Sequence, residues 1–228
     1  SGPGSERLSN NSIWAFASAA QRLDAQGRAQ ALWVSTFAGL NYWDRDAQTF
    51  TFYEIDPQLP DSQAYAALED AKRGTLWLAT NMGLERAVLP DDMPGAPETL
   101  DVTRVLTRSS ASSGFVLDLH PAGPDHLWIA QYGVGLHRYD LASEAIVETY
   151  RHDPDEESSL GDDRVDQIFA GRDRRLWLVT MAGIEHFDPA TAVFTHTLHD
   201  PEDPRSVAER VLSLHEDQNG VVWLGTDG

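Results

Sequence analysis

The sequence predicts an all-β fold in which one four-stranded antiparallel unit is repeated along the chain, and three observations predict it. First, a tryptophan recurs inside a short apolar run: Leu32-Trp33-Val34-Ser35-Thr36, Leu76-Trp77-Leu78-Ala79-Thr80, Leu127-Trp128-Ile129-Ala130-Gln131, Leu176-Trp177-Leu178-Val179-Thr180 and Val222-Trp223-Leu224-Gly225-Thr226. Their spacings of 44, 51, 49 and 46 residues fall in the range of repeat folds, roughly 40–50 residues per unit in propellers. Second, a glycine and an aliphatic residue follow the first four runs after a short gap: Gly39-Leu40, Gly83-Leu84, Gly135-Leu136 and Gly183-Ile184. Third, an apolar run precedes each tryptophan; counting back 12 residues from the last four lands on Tyr65, Val116, Val165 and Val211.

That upstream run is the first strand of each unit. Tyr65-Ala66-Ala67-Leu68, Val116-Leu117-Asp118-Leu119, Val165-Asp166-Gln167-Ile168 and Val211-Leu212-Ser213-Leu214 are largely apolar, as expected of a strand covered on both faces. Ile13-Trp14-Ala15-Phe16 takes this place in the first unit, with a longer loop before Trp33. A turn follows, written in two copies as Glu-Asp then Gly: Glu69-Asp70 to Gly74, and Glu216-Asp217 to Gly220. Asp folds back onto nearby backbone N–H groups and Gly takes the left-handed position. The tryptophan run is the second strand, and the glycine after it supplies the positive φ of a tight turn. The third strand ends on an aromatic and an acid in three copies, Tyr42 to Asp44, Tyr139-Asp140 and Phe187-Asp188. Phe50 to Tyr53, Ile146 to Tyr150 and Phe194 to Leu198 are rich in the residues that suit a pleated, half-buried surface and form the fourth strand. Four antiparallel strands joined by short turns make one blade of a β-propeller.

Along the chain, residues 1–5 read as a tag-cleavage scar and are set aside. Blades are expected at about 8–53, 65–106, 116–150 and 165–198, with a partial blade at 211–226. The second is irregular: after Leu84 its pattern dissolves into the proline-rich Leu89 to Pro97, which reads as a surface insertion because proline cannot donate to a ladder. The fifth reaches only its second strand. An open ladder edge recruits other strands, so the natural protein is expected to continue past Gly228. Self-association through open blade edges or faces is expected of the piece in hand.

Net charge is −19, which argues against nucleic acid, whose binding needs Lys and Arg to replace phosphate counterions, and against adsorption to anionic lipid. No apolar run is long enough to span a bilayer, and no direct membrane contact is expected. With no cysteine, neither a disulfide framework nor a Cys-based zinc site can form.

The linkers between blades are acidic and alike: Asp56-Pro57 to Asp61-Ser62, His152-Asp153-Pro154-Asp155 to Ser159-Leu160, and His199-Asp200-Pro201-Glu202 to Ser206-Val207. The string His-Asp-Pro-x-Asp-x-x-Ser-Leu, then Val-x-x-Ile, then Glu-Asp-x-x-Gly-x-x-Trp-Leu-Gly-Thr, resembles the two-component regulator propeller repeat. The resemblance runs over nearly all of Leu8 to Gly228 and is most specific at His199 to Thr226 and His152 to Trp177. It implies a seven-bladed ring and a role in the extracytoplasmic, periplasmic sensor region of a bacterial hybrid histidine kinase or membrane-bound diguanylate cyclase. The sequence departs from the pattern where Ser35, Ala79 and Val179 replace the Gly of Gly-Thr, where Gln131 replaces the Thr, and in the third strand of blade two, which lacks the aromatic-acid pair.

Strand polarity places a ligand site. If strands alternate, the loop leading into the first strand and the turn joining the second and third share a face, and loop faces are where such folds carry function. The loops bring Asn11, Gln63, Arg164 and Arg210, and the turns bring Phe37, Asn81, Met82, Tyr132 and Met181. Amide and guanidinium donors beside aromatic and apolar groups suit a sugar, an oligosaccharide or another small molecule; the competing reading is that the bulky groups simply pack against neighbouring blades. The repeated tryptophans read as packing devices whose indole N–H finds a carbonyl; Trp14 and Trp43 lie off the repeat. His137 and His186 are expected at the equivalent third-strand position of two blades, and His152 and His199 at the equivalent linker position, which speaks for inheritance with the repeat. No His-Glu-x-x-His motif, nucleophile elbow or phosphate-binding glycine loop occurs. No catalytic residue, cofactor or metal is therefore expected. A glycan-active propeller enzyme or a protein-docking scaffold is the alternative function.

Overall fold

A computed structural model describes residues 8–20, 22–55, 63–89, 100–107, 114–200, 202–203, 206–207 and 210–227. The tag-like residues 1–5, the whole first acidic linker and most of the blade-two insertion lie outside the described residues. Every strand sequence pairs with its neighbour in chain order. The first sheet is β1 (Ile13–Ser18), β2 (Ala31–Thr36), β3 (Gly39–Asp44) and β4 (Thr49–Tyr53). The second is β5 (Ala64–Asp70), β6 (Thr75–Thr80), β7 (Gly83–Val88) and β8 (Val102–Thr107). The third is β9 (Val116–Pro121), β10 (His126–Gln131), β11 (Gly135–Asp140) and β12 (Ala145–Tyr150). The fourth is β13 (Val165–Ala170), β14 (Leu176–Thr180), β15 (Gly183–Asp188) and β16 (Val193–Leu198). β17 (Val211–Glu216) and β18 (Val222–Thr226) form a two-stranded sheet. The fold is a partial β-propeller, and the described residues contain no helix. Blade two is a full four-stranded blade even though its third strand lacks the aromatic-acid pair.

The chain forms two compact units, Ser1–Leu119 and His120–Gly228. In the first, Trp33, Leu40, Tyr42 and Tyr53 of blade one pack with Ala64, Leu76, Leu78 and Leu100 of blade two. In the second, Trp128 and Leu136 of blade three pack with Val165, Ile168, Leu176 and Phe187 of blade four. A further cluster joins Val179 and Ile184 of blade four to Val207, Val211 and Leu214 of blade five. Each large apolar side chain so buried contributes about 1.5–3 kcal/mol.

Two repeated devices explain the sequence pattern. The threonine closing the second strand donates its hydroxyl across the turn, from Thr36 to the Gly39 carbonyl at 3.0 Å and from Thr80 to Gly83 at 3.0 Å, while the Thr180 hydroxyl shares its one hydrogen between the Gly183 carbonyl at 3.3 Å and Glu185 Oε1 at 3.0 Å. The glycine is required because the fourth strand closes over it: Gly183 has φ +139° and an added Cβ would sit 2.5 Å from the Thr197 carbonyl oxygen. In the Glu-Asp turns, Asp217 accepts the amides of Asn219 and Val221 at 2.8 and 3.0 Å, and Gly220 takes φ 79°.

Two registers differ from the count of residues. Ala64, not Tyr65, lies opposite Thr80, as Val165 lies opposite Thr180 and Val211 opposite Thr226. The turn before Trp77 is one residue longer, so a fixed count of 12 back from it falls one residue short. Tyr65 is instead the extra residue of a β-bulge, a place shared by Trp14, Asp166 and Leu212. Likewise His137 and His186 are not equivalent. His137 faces Ile129 and Arg138 faces Trp128, whereas His186 itself faces Trp177. Blade three has one more residue in its turn, and a slip of one puts a side chain on the opposite face.

The tryptophans hold one register in the second strand, and the indoles of Trp33, Trp177 and Trp223 find a carboxylate rather than a carbonyl. Trp33 donates to Glu69 at 2.8 Å and Trp177 to Glu216 at 3.4 Å, in each case to the end of the next blade's first strand. Trp223 donates to Asp217 at 3.1 Å within its own hairpin and is 61% exposed. A charged acceptor makes the stronger hydrogen bond, and the strand's end places one beside the ring.

Candidate functional site

Backbone hydrogen bonds join the two kinds of loop in blades one, two, four and five. The Phe37 amide donates to the Ser12 carbonyl at 3.1 Å, Asn81 to Gln63 at 3.4 Å, Met181 to Arg164 at 3.3 Å and Asp227 to Arg210 at 3.3 Å. The loop before the first strand and the turn after the second therefore lie on one face, as strand alternation requires. Blade three departs from the pattern: its longer turn bonds internally, and the Gly135 amide reaches the Asp163 carbonyl at 3.0 Å.

In the first unit this face carries a connected aromatic and amide cluster. Trp14 stacks on Phe37 with ring centres 6.5 Å apart, and meets Tyr65 edge-on at 5.1 Å. The Tyr65 hydroxyl donates to the Gln63 side chain at 3.1 Å, and the Asn81 carboxamide oxygen accepts the Gln63 amide at 3.0 Å. Phe37, Gln63 and Asn81 are thus brought together, while Asn11 is exposed and Met82 half-buried nearby in sequence. Trp14 and Phe37 are 50% and 49% exposed, so the rings present their surface to solvent instead of filling a core. The bulge creates this arrangement: an extra residue at the start of an inner strand turns a side chain out of the sheet's alternation. Trp14 lies off the tryptophan repeat and Tyr65 falls at the start of an apolar run, so neither stands out in the sequence as a member of this cluster.

In the second unit the corresponding loops are charged. The Arg164 guanidinium lies over the Tyr132 ring at 5.0 Å, a cation–π contact. The bulge residue Asp166 accepts its Nε at 2.8 Å. Burial works against the Arg164 charge, but the Asp166 carboxylate outweighs it and holds the group above its ordinary value. Met181 is 55% exposed beside it in sequence register. Arg210 reaches Asp227 at 3.4 Å, with both groups largely exposed.

Beneath both faces the third strand carries a buried polar residue opposite an aliphatic one: Asn41 opposite Val34, Glu85 opposite Leu78, His137 opposite Ile129 and Glu185 opposite Leu178. All are buried. Asn41 donates to the Ser9 hydroxyl at 2.9 Å and accepts the Ser9 amide at 3.0 Å. Glu85 takes both Nε and Nη2 of Arg104, at 3.1 and 2.8 Å. His137 meets the Thr149 hydroxyl at 2.9 Å, and burial pushes it down to about 4, so it is neutral at neutral pH. Asn41 and Glu185 each grip the loop four residues before the start of the first strand, at Ser9 and at Gly161.

The linkers are closed loops with the same bonds in two copies. His152 Nδ1 meets the Leu160 carbonyl at 2.8 Å and His199 Nδ1 the Val207 carbonyl at 2.7 Å. Ser159 and Ser206 accept the amides of Asp153 and Asp200 at 3.0 and 3.1 Å. The linker histidines are therefore clasps of the repeat. Among the described residues no group of three or more His, Asp or Glu is placed to hold a metal ion, and no helix is long and apolar enough to cross a membrane.

Residues 207–228 match the family model of the two-component regulator propeller. No curated protein sequence matches the chain. Among solved structures, the chain is similar to the extracellular domain of a protein described as a hybrid two-component system of B. thetaiotaomicron, at 17% identity and TM-score 0.64, covering 95% of this chain and 26% of the other. It is similar to a second extracellular domain from that organism, described as belonging to a one-component system, at 18% identity and TM-score 0.66, covering 96% and 27%. The WD40 propeller domain of Doa1 matches at 10% identity and TM-score 0.61, covering 86% and 57%. The chain spans about a quarter of the first two structures.

Proposed function

We propose that this chain, a partial β-propeller whose last repeat is a two-component regulator propeller repeat, is part of the ligand-sensing module of a bacterial transmembrane receptor. The module lies in the periplasm, and its ligand state biases the geometry of a dimer that drives a histidine kinase or diguanylate cyclase. The extracellular assignment of the two similar B. thetaiotaomicron domains supports the location. The observation that carries the ligand site is the half-exposed Trp14–Phe37–Tyr65 cluster with Gln63 and Asn81 beside it. Aromatic faces take the apolar C–H surface of a sugar ring, and amides take its hydroxyls, so the ligand class is a sugar or oligosaccharide.

Tryptophan fluorescence during titration with a panel of neutral oligosaccharides tests this. At least one glycan should perturb the emission, and Trp14→Ala should weaken its binding at least about tenfold, or about 1.4 kcal/mol. A panel without response, or binding indifferent to Trp14→Ala, defeats this site. Turnover of a glycan in the same assay would favour the enzyme alternative.

A further inference from the structure

Glu185 on β15 is fully buried and accepts from two donors. The Gly161 amide donates to both of its oxygens, at 3.0 and 3.1 Å, and the Thr180 hydroxyl to Oε1 at 3.0 Å. Its remaining neighbour is His196 on β16, whose Nδ1 lies 3.4 Å from Oε2. The other ring nitrogen, Nε2, lies 3.0 Å from the Glu157 carbonyl oxygen. A carbonyl only accepts, so Nε2 carries a hydrogen. A neutral imidazole has one N–H, and its Nδ1 would then aim a lone pair at a carboxylate oxygen. Two acceptors facing each other away from water are costly. One additional proton, on Nδ1 or on Oε2, resolves the conflict. Burial raises Glu185 above the ordinary carboxyl range and outweighs Gly161, Thr180 and His196, which favour the charged form.

We propose that Glu185 and His196 hold one shared proton, and that this proton latches the linker that positions Arg164 over Tyr132. The latch has two ends: His196 holds the Glu157 carbonyl and Glu185 holds the Gly161 amide. A Cβ at Gly161 would sit 2.9 Å from Oε1, so a side chain there would displace the carboxylate. The next residues are fixed in turn. Asp162 accepts the Arg164 amide at 2.7 Å, and the Arg164 carbonyl accepts the Met181 amide at 3.3 Å. The charged and titratable groups facing Glu185 are His196 from β16 and Asp162 from the linker; Asp162 disfavours the carboxylate and so retains the proton. Loss of the proton sets a buried carboxylate against a lone pair and loosens both ends. Glu185 and His196 are positioning residues; that the latch governs ligand capture rests on the loop face being the binding site, whereas the shared proton does not.

Nuclear magnetic resonance of the wild-type protein, following the His196 ring nitrogens, the Gly161 amide and the Arg164 Nε from about pH 5 to 8, tests it. At neutral pH both ring nitrogens should be proton-bearing or hydrogen-bonded, and the three signals should move together as the proton leaves. In Glu185→Gln the side-chain NH₂ donates to Nδ1 without any shared proton, so the Gly161 signal should stop responding to pH. A bare Nδ1 lone pair at neutral pH, a Gly161 amide indifferent to His196, or the same titration in Glu185→Gln overturns the proposal. If the variant does not fold, the wild-type spectra decide alone. If the proton is found but glycan binding is absent at every pH, the ligand reading fails and the latch stands.

Discussion

Trp33 and Trp177 hold the same place in blades one and four, yet the seams they close differ. Trp33 is 1% exposed, stands nearly upright on Tyr42 at 4.9 Å and touches Tyr53 at 5.8 Å. Its N–H meets Glu69 of the next blade at 2.8 Å. Trp177 is half-buried and lies flat on His186, 4.2 Å away with 15° between the planes. Its bond to Glu216 stretches to 3.4 Å. A groove of about 400 Å³ opens there, lined by Arg172, Asp173, His186, Glu216 and Asn219 among others. Blades one and four share the carboxylate clasp but not the seal. The residue opposite the indole decides it: rings meeting edge-on fill the space up to the next blade, whereas a flat stack leaves a gap that water can fill.

The largest test of that contrast is truncation of the two indoles. Trp33→Ala should cost about 3–5 kcal/mol, because it empties a sealed site. Trp177→Ala should cost about 1–2 kcal/mol, because part of that ring already faces water. Urea titrations of both variants check this, and equal losses would erase the distinction. Next in size is a pH effect that sets the blade interior apart from either seam. Folding lowers His137 to about 4 from an ordinary 6.5, so the unfolded chain binds more protons in that window. Stability should therefore fall, by up to about 3 kcal/mol, as pH drops from 6.5 towards 4. His137→Gln should flatten that part of the stability–pH curve, and an unchanged slope would place the cause elsewhere. Smaller again is removal of the acceptors. Glu69→Ala strands a buried indole N–H and should cost about 1–3 kcal/mol. Glu216→Ala should stay below about 1 kcal/mol, since water in the groove can replace the carboxylate; thermal melts of the pair compare them.

Much of the fold was legible because the repeat writes its hydrogen bonds into residue types. Thr, Gly and the Glu-Asp turn each serve one bond, and those bonds recur. Register was less legible. A turn longer by one residue moved Tyr65 out of the buried position and separated His137 from His186, and turn length is invisible to a count from tryptophan. The candidate face was legible as a place, through strand polarity, but its chemistry was only half visible. Phe37, Gln63, Asn81, Tyr132 and Arg164 could be named from loops, whereas Trp14, Tyr65 and Asp166 enter through a bulge that sequence alternation conceals. The buried third-strand residues Asn41, Glu85, His137 and Glu185 share a place but not a chemical type, so no motif marked them.

A double-mutant cycle on Trp33→Phe and Glu69→Gln tests most directly whether an indole–carboxylate bond joins consecutive blades. Phenylalanine keeps a ring but removes the N–H, and glutamine keeps the shape but removes the charge. The coupling energy from urea unfolding of the four proteins should be about 1–2 kcal/mol. A value near zero would contradict the clasp and leave the recurring tryptophan as packing alone.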